Sequence, residues 1–348
     1  MNNIPVVFLP AGVDACALYR HYLPHLNIEK SMFLLRRGAI DIREVQHCKV
    51  AIVQRQVSEH NRAAILRLKE AGLKIIYDLD DNIWNLPSAN PGKRQFDQMR
   101  EGFEMCAREA HMLTVSTRGL ATAAKTGFKL DKEIFIVPNA MDFRLFKRKN
   151  LHRDDGNVVI GWGGSNTHSA DLKDALDVLP EVMDENPHVL AEFVGAPPTD
   201  GKDINGNPIA HRIMQHKQTR FRFWVPVAEY ANRFASWGWD IAMAPLTDHR
   251  FNKSKSNIKM LEAAAMRIPC LVSDVQPYEE FCALGGDTLK WLLCSTHKHW
   301  KDKLKVLINE PELRDEIGNK MYEVASAFYN MEKVAGIWSW AFQKVLSC

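Results

Sequence analysis

The sequence lacks the features that mark secreted, membrane-spanning and zinc-binding proteins. Its seven cysteines are an odd number with no CxxC pair, so neither a disulfide framework nor a zinc site is indicated. No stretch approaches the ~20 apolar residues of a membrane-spanning helix, and the first residues show no basic segment followed by a long apolar core. The dinucleotide fingerprint GxGxxG is also missing, which counts against a dehydrogenase. We therefore expect a cytoplasmic protein with reduced thiols.

Length and composition are those of a folded protein with two domains. The chain has 348 residues, of which 46% are hydrophobic and 25% charged. Residues 1–150 carry 23 basic and 16 acidic side chains (+7), whereas the remainder carries 22 and 26 (−4). The basic first half hints at an anionic partner, either a nucleic acid or a membrane surface, although such a surplus is also common on soluble enzymes.

Short apolar runs alternate with helical patterns along the whole chain. This order predicts two α/β units with parallel sheets and right-handed crossovers. A charged segment without a strand, residues 142–155, separates the two units. We therefore expect two Rossmann-like domains, at 1–150 and 151–330, which face a cleft. The predicted strands are 6–9, 50–53, 74–77, 112–115 and 134–137 in the first unit, and 158–160, 190–194, 221–224, 239–245 and 270–272 in the second.

Three acidic residues follow the predicted strand 74–77. Asp78, Asp80 and Asp81 lie at its carboxyl end, where open α/β sheets bind ligands. They could hold a metal and a diphosphate, bind substrate hydroxyls or cap the next segment. Because three acids in four residues repel one another, we favour a functional role.

Basic residues suggest where an acceptor could approach the first half. Residues 85–100 are rich in proline and polar groups, and we expect a mobile loop at the cleft rim. Lys93, Arg94 and Arg100 lie in this loop, together with Phe96. Arg20 would point outward from the helix after the first strand, either as an acceptor-side group or as an ordinary surface arginine.

Two segments of the second half suit a phosphate. Gly161, Gly163 and Gly164 directly follow the strand 158–160 and precede a helix expected at 169–179, so the backbone can approach a ligand closely. The segment 254–280 reads as loop, helix, strand and loop. A helix that begins near Ser256 presents its positive end and free N–H groups, beside several lysines. The alternative is an ordinary amphipathic helix with surface lysines.

These motifs together resemble a known family. The chain is similar to the GT-B nucleotide-sugar glycosyltransferases, in particular the retaining family-4-like enzymes, whose C-terminal domain binds the donor. The terminal helix, residues 331–348, looks like the helix that returns to the N-terminal domain in this fold. The resemblance rests on KIIYDLDD (74–81) with TVST (114–117), VPNAMD (137–142), IGWGGSNTHSADL (160–172) and the most specific block, DIAMAPLTDHRFNKSKSNIKMLEAAAMRIPCLVSDVQPY (240–278).

The resemblance implies roles for residues of the second half. The helix N-terminus would meet the donor diphosphate, and Glu262 on that helix would bind the nucleotide ribose. The glycine loop would lie against the donor phosphates, with His168 close by. The family pattern is Glu, seven residues, Glu, but Ser254 stands at the first position, so the usual sugar contact is absent. The implied donor-binding set is Gly161, Gly163, Gly164, His168, Lys255, Ser256, Asn257, Lys259 and Glu262.

The implied reaction displaces a nucleoside diphosphate, such as UDP, from the anomeric carbon. Lys255, Lys259 and backbone N–H groups would stabilise the developing charge, without a metal or other cofactor. Asp78, Asp80 and Asp81 would be catalytic groups on the acceptor side, with the side chains of Arg20, Lys93 and Arg94 beside them. The competing interpretation is a GT-A-like enzyme that uses Asp78 and Asp80 on a metal.

Three classes of function remain open at this stage. The acceptor could be a growing glycan or a lipid-linked sugar. It could instead be a hydroxymethylated base in duplex DNA, as for some phage enzymes that work in the host cytoplasm, because the basic first half suits a phosphate backbone. The third class is a non-catalytic scaffold that binds a nucleotide sugar or nucleic acid.

Overall fold

The computed structural model describes residues 4–35, 41–149, 155–197, 201–202, 208–210 and 212–347. The first half forms a six-stranded parallel sheet with the strand order β2-β1-β3-β4-β5-β6. Its strands are β1 (Val6–Leu9), β2 (Ser31–Phe33), β3 (Val50–Gln54), β4 (Lys74–Leu79), β5 (Met112–Val115) and β6 (Ile134–Ile136). All five strands predicted here are confirmed. The side chains of β1, β3, β4 and β5 are almost continuously buried, as parallel sheets covered on both faces require, whereas the edge strand β6 is partly exposed.

The second half forms another six-stranded parallel sheet, with the order β11-β8-β7-β12-β13-β14, and a small antiparallel hairpin, β9 with β10. The fold class predicted from the sequence, two Rossmann-like α/β units, is thus confirmed. The strands are β7 (Val158–Gly164), β8 (Val189–Gly195), β9 (Gly201–Lys202), β10 (Pro208–Ile209), β11 (Thr219–Arg222), β12 (Ile241–Ala244), β13 (Cys270–Ser273) and β14 (Leu293–Cys294).

Helices connect the strands on both faces of each sheet. In the first half they are α1 (Ala15–Ala17), α2 (Leu23–Asn27), α3 (Ile42–Val45), α4 (Glu59–Glu70), α5 (Lys93–Glu109) and α6 (Arg118–Phe128), with a π-helical turn, Leu18–Tyr22, between α1 and α2. In the second half they are α7 (Lys173–Leu176), α8 (Leu179–Glu185), α9 (Tyr230–Phe234), α10 (Ile258–Ala265), α11 (Gln276–Leu284), α12 (Asp287–Lys290), α13 (His297–Asn309), α14 (Pro311–Phe328) and α15 (Met331–Leu346).

The last helix, α15, returns to the first sheet, as the resemblance implied. The rings of Trp338 and Phe342 pack edge-on against Phe8 of β1, at centroid distances of 5.7 and 6.3 Å. A backbone bridge joins Met141 to Asn330 just before the helix begins. The predicted division between residues 150 and 151 lies outside the described residues and stays a prediction. Within the part of the chain that the structure describes, no helix is both long and apolar enough to cross a membrane.

Three local expectations were wrong. The segment predicted as a loop at 85–100 becomes helical from Lys93, because α5 buries Phe103, Cys106 and Ala107 on one face. The glycines predicted to form a loop after the strand 158–160 belong to β7 itself. The single helix expected at 169–179 is divided between a 3₁₀ segment, Asn166–Asp171, and two short helices, α7 and α8.

Candidate active site

The glycines of β7 allow a tryptophan to pack over the strand. A Cβ on Gly161 would come within 1.8 Å of the Trp239 ring, whereas one on Gly163 would lie 3.6 Å from the same ring. A Cβ on Gly164 would meet the Trp162 ring at 2.6 Å. Gly161 and Gly164 are therefore needed for packing between side chain and strand. The carbonyl oxygen of Gly163 faces the opposite segment and accepts a hydrogen bond from Lys259.

The lysines at the start of α10 gather beside this strand end. Asn257 is the N-cap of α10, one residue later than the predicted start, and the first N–H groups of the helix have no partner within it. The amino group of Lys259 also lies 5.2 Å from the centre of the Trp162 ring, and that of Lys255 lies 4.5 Å from the Phe251 ring. Burial lowers the pKa of Lys259. An anion placed here would be met by two amino groups and by the helix N-terminus.

His168 lies beside the same lysines, and its predicted proximity to the donor phosphates stays a prediction. Its Nδ1 is 3.1 Å from Oδ2 of Asp171, and its ring packs edge-on against Trp162. Burial lowers the pKa of His168, and the charges of Lys255 and Lys259 lower it further. The imidazole is therefore held close to Lys255 and Lys259, in surroundings that favour its neutral form.

Glu262 is buried one turn further along α10. Its Oε1 accepts a hydrogen bond of 2.5 Å from the hydroxyl of Tyr19, which belongs to the first half of the chain. A second side-chain hydrogen bond comes from Tyr230. Burial raises the pKa of Glu262 despite the opposing effects of Lys259 and the two phenols. The carboxylate is thus oriented from both halves of the molecule.

Ser254, which stands where the resembled family has a glutamate, is occupied by contacts with the first half. Its hydroxyl accepts a hydrogen bond of 2.9 Å from Asn82, and its carbonyl oxygen accepts one of 2.8 Å from Thr117. Two residues later, the hydroxyl of Ser256 accepts one of 2.9 Å from Asn139. The small side chain at position 254 therefore allows the two halves to touch. We call residues 254–262, which begin at this contact, the donor-type segment.

Arg20 and Asp78 form a buried ion pair beneath this contact. Oδ1 of Asp78 accepts from Nη2 of Arg20 at 2.6 Å and from the Thr114 hydroxyl at 2.7 Å, while Oδ2 accepts from Nε of Arg20 at 3.1 Å. Burial alone would raise the pKa of Asp78, but the charge and hydrogen bonds of Arg20 and His21 lower it well below its ordinary value. The same guanidinium donates to the carbonyl of Val137.

Two predictions are corrected by this pair. Arg20 is only 1% exposed, so the expectation that it points outward is wrong. Asp78 is 0% exposed and fully partnered, so it has no surface through which to contact an acceptor, and its predicted catalytic role becomes a structural one. The sequence pattern could not show this, because Arg20 and Asp78 are 58 positions apart.

Asp80 and Asp81 remain near the cleft. The Arg55 Nε lies 3.2 Å from Oδ1 of Asp80, and the Arg55 Nη2 lies 2.9 Å from Asp14. Burial raises the pKa of Asp80, against the opposing charge of Arg55. Asp81 is half-buried and caps the next residue, accepting from the N–H of Asn82. The Asp80 side chain is only 5% exposed, so Asp81 is the more open of the two to a bound acceptor.

The acceptor-side lysine and arginine at the start of α5 are not loop residues. Lys93 pairs with Asp97 at 2.8 Å within the helix, and Arg94 is exposed. Phe96 stacks on Phe103 with a centroid distance of 5.9 Å, rather than standing free for a base. The expectation of a loop with a free aromatic side chain is therefore wrong from Lys93 onward. The acceptor-side role of Lys93 and Arg94 stays a prediction.

Known glycosyltransferases resemble this chain in part of its sequence and in its fold. Residues 181–338 match the family model described as glycosyl transferase-like. Over the whole chain, the fold is similar to that of HepE from Anabaena, in complex with UDP and glucose, with a TM-score of 0.68, 10% identity and coverage of 98% of this chain and 99% of that chain. The chain has the GT-B fold.

Other solved GT-B structures agree over nearly the full length. Sucrose-phosphate synthase from Thermosynechococcus elongatus is similar with a TM-score of 0.64 and 11% identity, covering 99% of each chain. A glycosyltransferase from Rickettsia africae gives a TM-score of 0.64 and 9% identity, again covering 99% of each chain. No curated protein matches the sequence. The resemblance to GT-B nucleotide-sugar glycosyltransferases is thus confirmed at the level of the fold.

Four residues that approach the donor-type segment were missed from the sequence. Asn82, Thr117 and Asn139 lie within or beside the quoted segments 74–81, 114–117 and 137–142, at strand ends, so their positions carried a signal. Tyr19 carried none, because it reads as one more apolar position of a helix. Among the described residues, no group of three His, Cys, Asp or Glu side chains is arranged to hold a metal ion.

Proposed function

We propose that this protein transfers a sugar from a nucleoside-diphosphate sugar to an acceptor hydroxyl, with retention at the anomeric carbon and without a metal. The observation that carries the proposal is the convergence of Lys255, Lys259 and Glu262 at the first turns of α10, beside the end of β7. One end of this arrangement suits a diphosphate and the other suits the hydroxyls of a ribose. HepE, a similar structure, is a complex with UDP and glucose.

Charge stabilisation would be the main contribution to the reaction. As the bond between the anomeric carbon and the diphosphate breaks, negative charge grows on the leaving oxygen. Lys255, Lys259 and the first N–H groups of α10 can neutralise that charge in a partly buried site. The lowered pKa of Lys259 fits this role, because an anionic diphosphate beside it would restore the preference for the charged amine. Retention is proposed on the resemblance of 240–278 to retaining enzymes.

The metal-dependent alternative has an obstacle in this structure. A metal on Asp78 and Asp80 would compete with Arg20, which binds both oxygens of Asp78, and with Arg55 beside Asp80. Both carboxylates already have a cationic partner, and a metal would have to displace it. We therefore prefer the cationic end of α10 as the group that stabilises the diphosphate.

For the acceptor, we propose a sugar hydroxyl on a glycan or a lipid-linked sugar. Asp80 and Asp81 lie at the end of β4, on the side of the first half, and could accept hydrogen bonds from such hydroxyls. A hydroxymethylated base in duplex DNA is the second candidate, favoured by the +7 charge of residues 1–150. The stacking of Phe96 on Phe103 removes the aromatic that we expected near the bases.

The test is a screen of donors and acceptors. The protein is incubated with UDP- and GDP-sugars, and release of the nucleotide is followed with saccharide acceptors and with hydroxymethylated or unmodified duplex DNA. Turnover with a saccharide supports the first acceptor class. Turnover that requires hydroxymethylated DNA and falls steeply with salt supports the second. Nucleotide binding without turnover of any donor would refute transfer in favour of a non-catalytic scaffold.

Glu262→Ala tests the position of the donor. We expect a strongly increased KM for the donor, because the ribose hydroxyls would lose their acceptor. Unchanged kinetics would contradict the ribose contact while leaving transfer itself intact. The anomeric configuration of the product, read by NMR, tests retention, and activity after extensive treatment with a chelator tests metal independence.

A further inference from the structure

Tyr19 reaches the donor-type segment from the other half of the chain. It lies on the π-helical turn Leu18–Tyr22 and is 4% exposed. Its hydroxyl donates to Oε1 of Glu262, 243 positions away in the sequence. Short π-helical turns of this kind often occur at functional sites. The contact links the first sheet directly to the carboxylate that we place at the ribose.

The Glu262 carboxylate can accept further hydrogen bonds from a ligand. An ionised carboxylate has about four acceptor sites, so two phenols, Tyr19 and Tyr230, leave sites for ribose hydroxyls. Because the Tyr19 phenol is buried, it fixes the rotation of the Glu262 side chain without water competing for it. A carboxylate that is already oriented loses less entropy when it binds the ribose.

The turn that carries Tyr19 is itself held firmly. The next residue, Arg20, binds Asp78 with two hydrogen bonds and also donates to the carbonyl of Val137. Arg20 donates further to the Oδ1 of Asn139, whose amide group donates to Ser256. Adjacent residues of one turn thus reach Glu262 directly, through Tyr19, and Ser256 indirectly, from Arg20 through Asn139. A site built on such support keeps its geometry more precisely than one on a free loop.

We propose that Tyr19 is a positioning residue of the donor site, by which the first half of the chain orients Glu262 for the nucleotide ribose. This rests on the proposed function, in which Glu262 binds the ribose. Tyr19 does not touch the donor; it acts through the carboxylate. The N-terminal half is thereby part of donor recognition and not only of acceptor binding.

Tyr19→Phe removes the hydroxyl and keeps the ring. Binding of UDP and GDP to the full chain is measured by calorimetric titration, and donor KM and kcat are measured with the sugar nucleotide that the screen identifies. We expect affinity for the better-bound nucleotide to fall roughly 10-fold or more, because a hydrogen bond to a charged group is lost. Donor KM should rise more than kcat falls.

The pH dependence separates positioning from a general loss of structure. The hydrogen bond from Tyr19 lowers the pKa of Glu262, so its removal should move the acidic limb of nucleotide affinity to higher pH. The matched control is Tyr77→Phe. Tyr77 is a buried phenol that donates to the carbonyl of Gln56 at 2.8 Å in the first half. This control should leave both the affinity and the acidic limb where they are in the unmodified protein.

Glu262→Gln distinguishes failure of this inference from failure of the proposed function. If Glu262→Gln binds nucleotide as the unmodified protein does, the ribose contact is wrong and the positioning role falls with it. If Glu262→Gln weakens binding but Tyr19→Phe changes neither affinity nor the acidic limb, the ribose contact stands and the role of Tyr19 is refuted. Equal losses in Tyr19→Phe and Tyr77→Phe would also refute it.

Discussion

Replacing Asp78 with asparagine should unfold the first half far more readily than its conservative shape suggests. The substitution removes a charge that is 0% exposed, leaving the guanidinium of Arg20, 1% exposed, without its counter-charge. The asparagine oxygen can keep one of the two bonds from Arg20, but its amide group would face another N–H or the Thr114 hydroxyl. Breaking a buried ion pair from one side costs about 3–5 kcal/mol of unfolding free energy.

The assay is urea unfolding of Asp78→Asn beside a matched exposed pair. Asp97 binds Lys93 and Arg100 on the surface of α5, with about two-fifths of each side chain exposed. Asp97→Asn should therefore cost less than about 1 kcal/mol, because solvent screens exposed pairs. A loss for Asp78→Asn as small as that for Asp97→Asn would refute the reasoning. So would a folded Asp78→Asn protein of normal stability that had lost turnover, since that would restore Asp78 as a catalytic group.

The same pair fixes the sign of the stability change with pH. The pKa of Asp78 in the folded protein lies below its ordinary value of 3.8, because Arg20 and His21 favour the ionised carboxyl over the effect of burial. The folded state therefore holds fewer protons than the unfolded state between the two pKa values. The stabilisation is fully present above the ordinary pKa and disappears as the pH falls through the folded one. Asp78→Asn should lack this part of the acid-induced loss.

Three further outcomes are expected. Gly161→Ala should lower the unfolding free energy by about 1–3 kcal/mol, because its Cβ would overlap the Trp239 ring. Gly163→Ala should change the unfolding free energy by less than about 1 kcal/mol. Equal stabilities of the two variants in urea unfolding would contradict this. Because burial raises the pKa of Glu262, donor KM should begin to rise at a pH above the ordinary 4.5 of a glutamate, and this limb should vanish in Glu262→Gln. Ser254→Ala should cost about 1 kcal/mol in thermal unfolding, through the lost hydrogen bond from the first half, and an unchanged melting temperature would speak against that contact.

The repeated α/β order and the resemblance to GT-B enzymes could be read from the sequence. Runs such as Val50–Val53 are apolar along their whole length, and this pattern is a local property that burial on both faces of a parallel sheet imposes. Position 254 also stood out from the sequence alone, because a serine occupies the place of a family glutamate. The local pattern predicted a loop over the first part of α5, Lys93–Glu109, because polar residues there hide the apolar face of the helix.

Which side chains meet depends on the folding of distant segments onto one another. Arg20 reads as a surface residue and Tyr19 as a core residue, yet one anchors Asp78 and the other reaches Glu262. Partners separated by 58 and 243 positions leave no trace in periodicity or spacing. The contact of Arg20 with Asp78 depends on how a turn packs on the first sheet, and that of Tyr19 with Glu262 on how the two halves of the chain meet. In the folded protein, Ser254 lies where the two halves of the chain touch, because it accepts hydrogen bonds from Asn82 and Thr117.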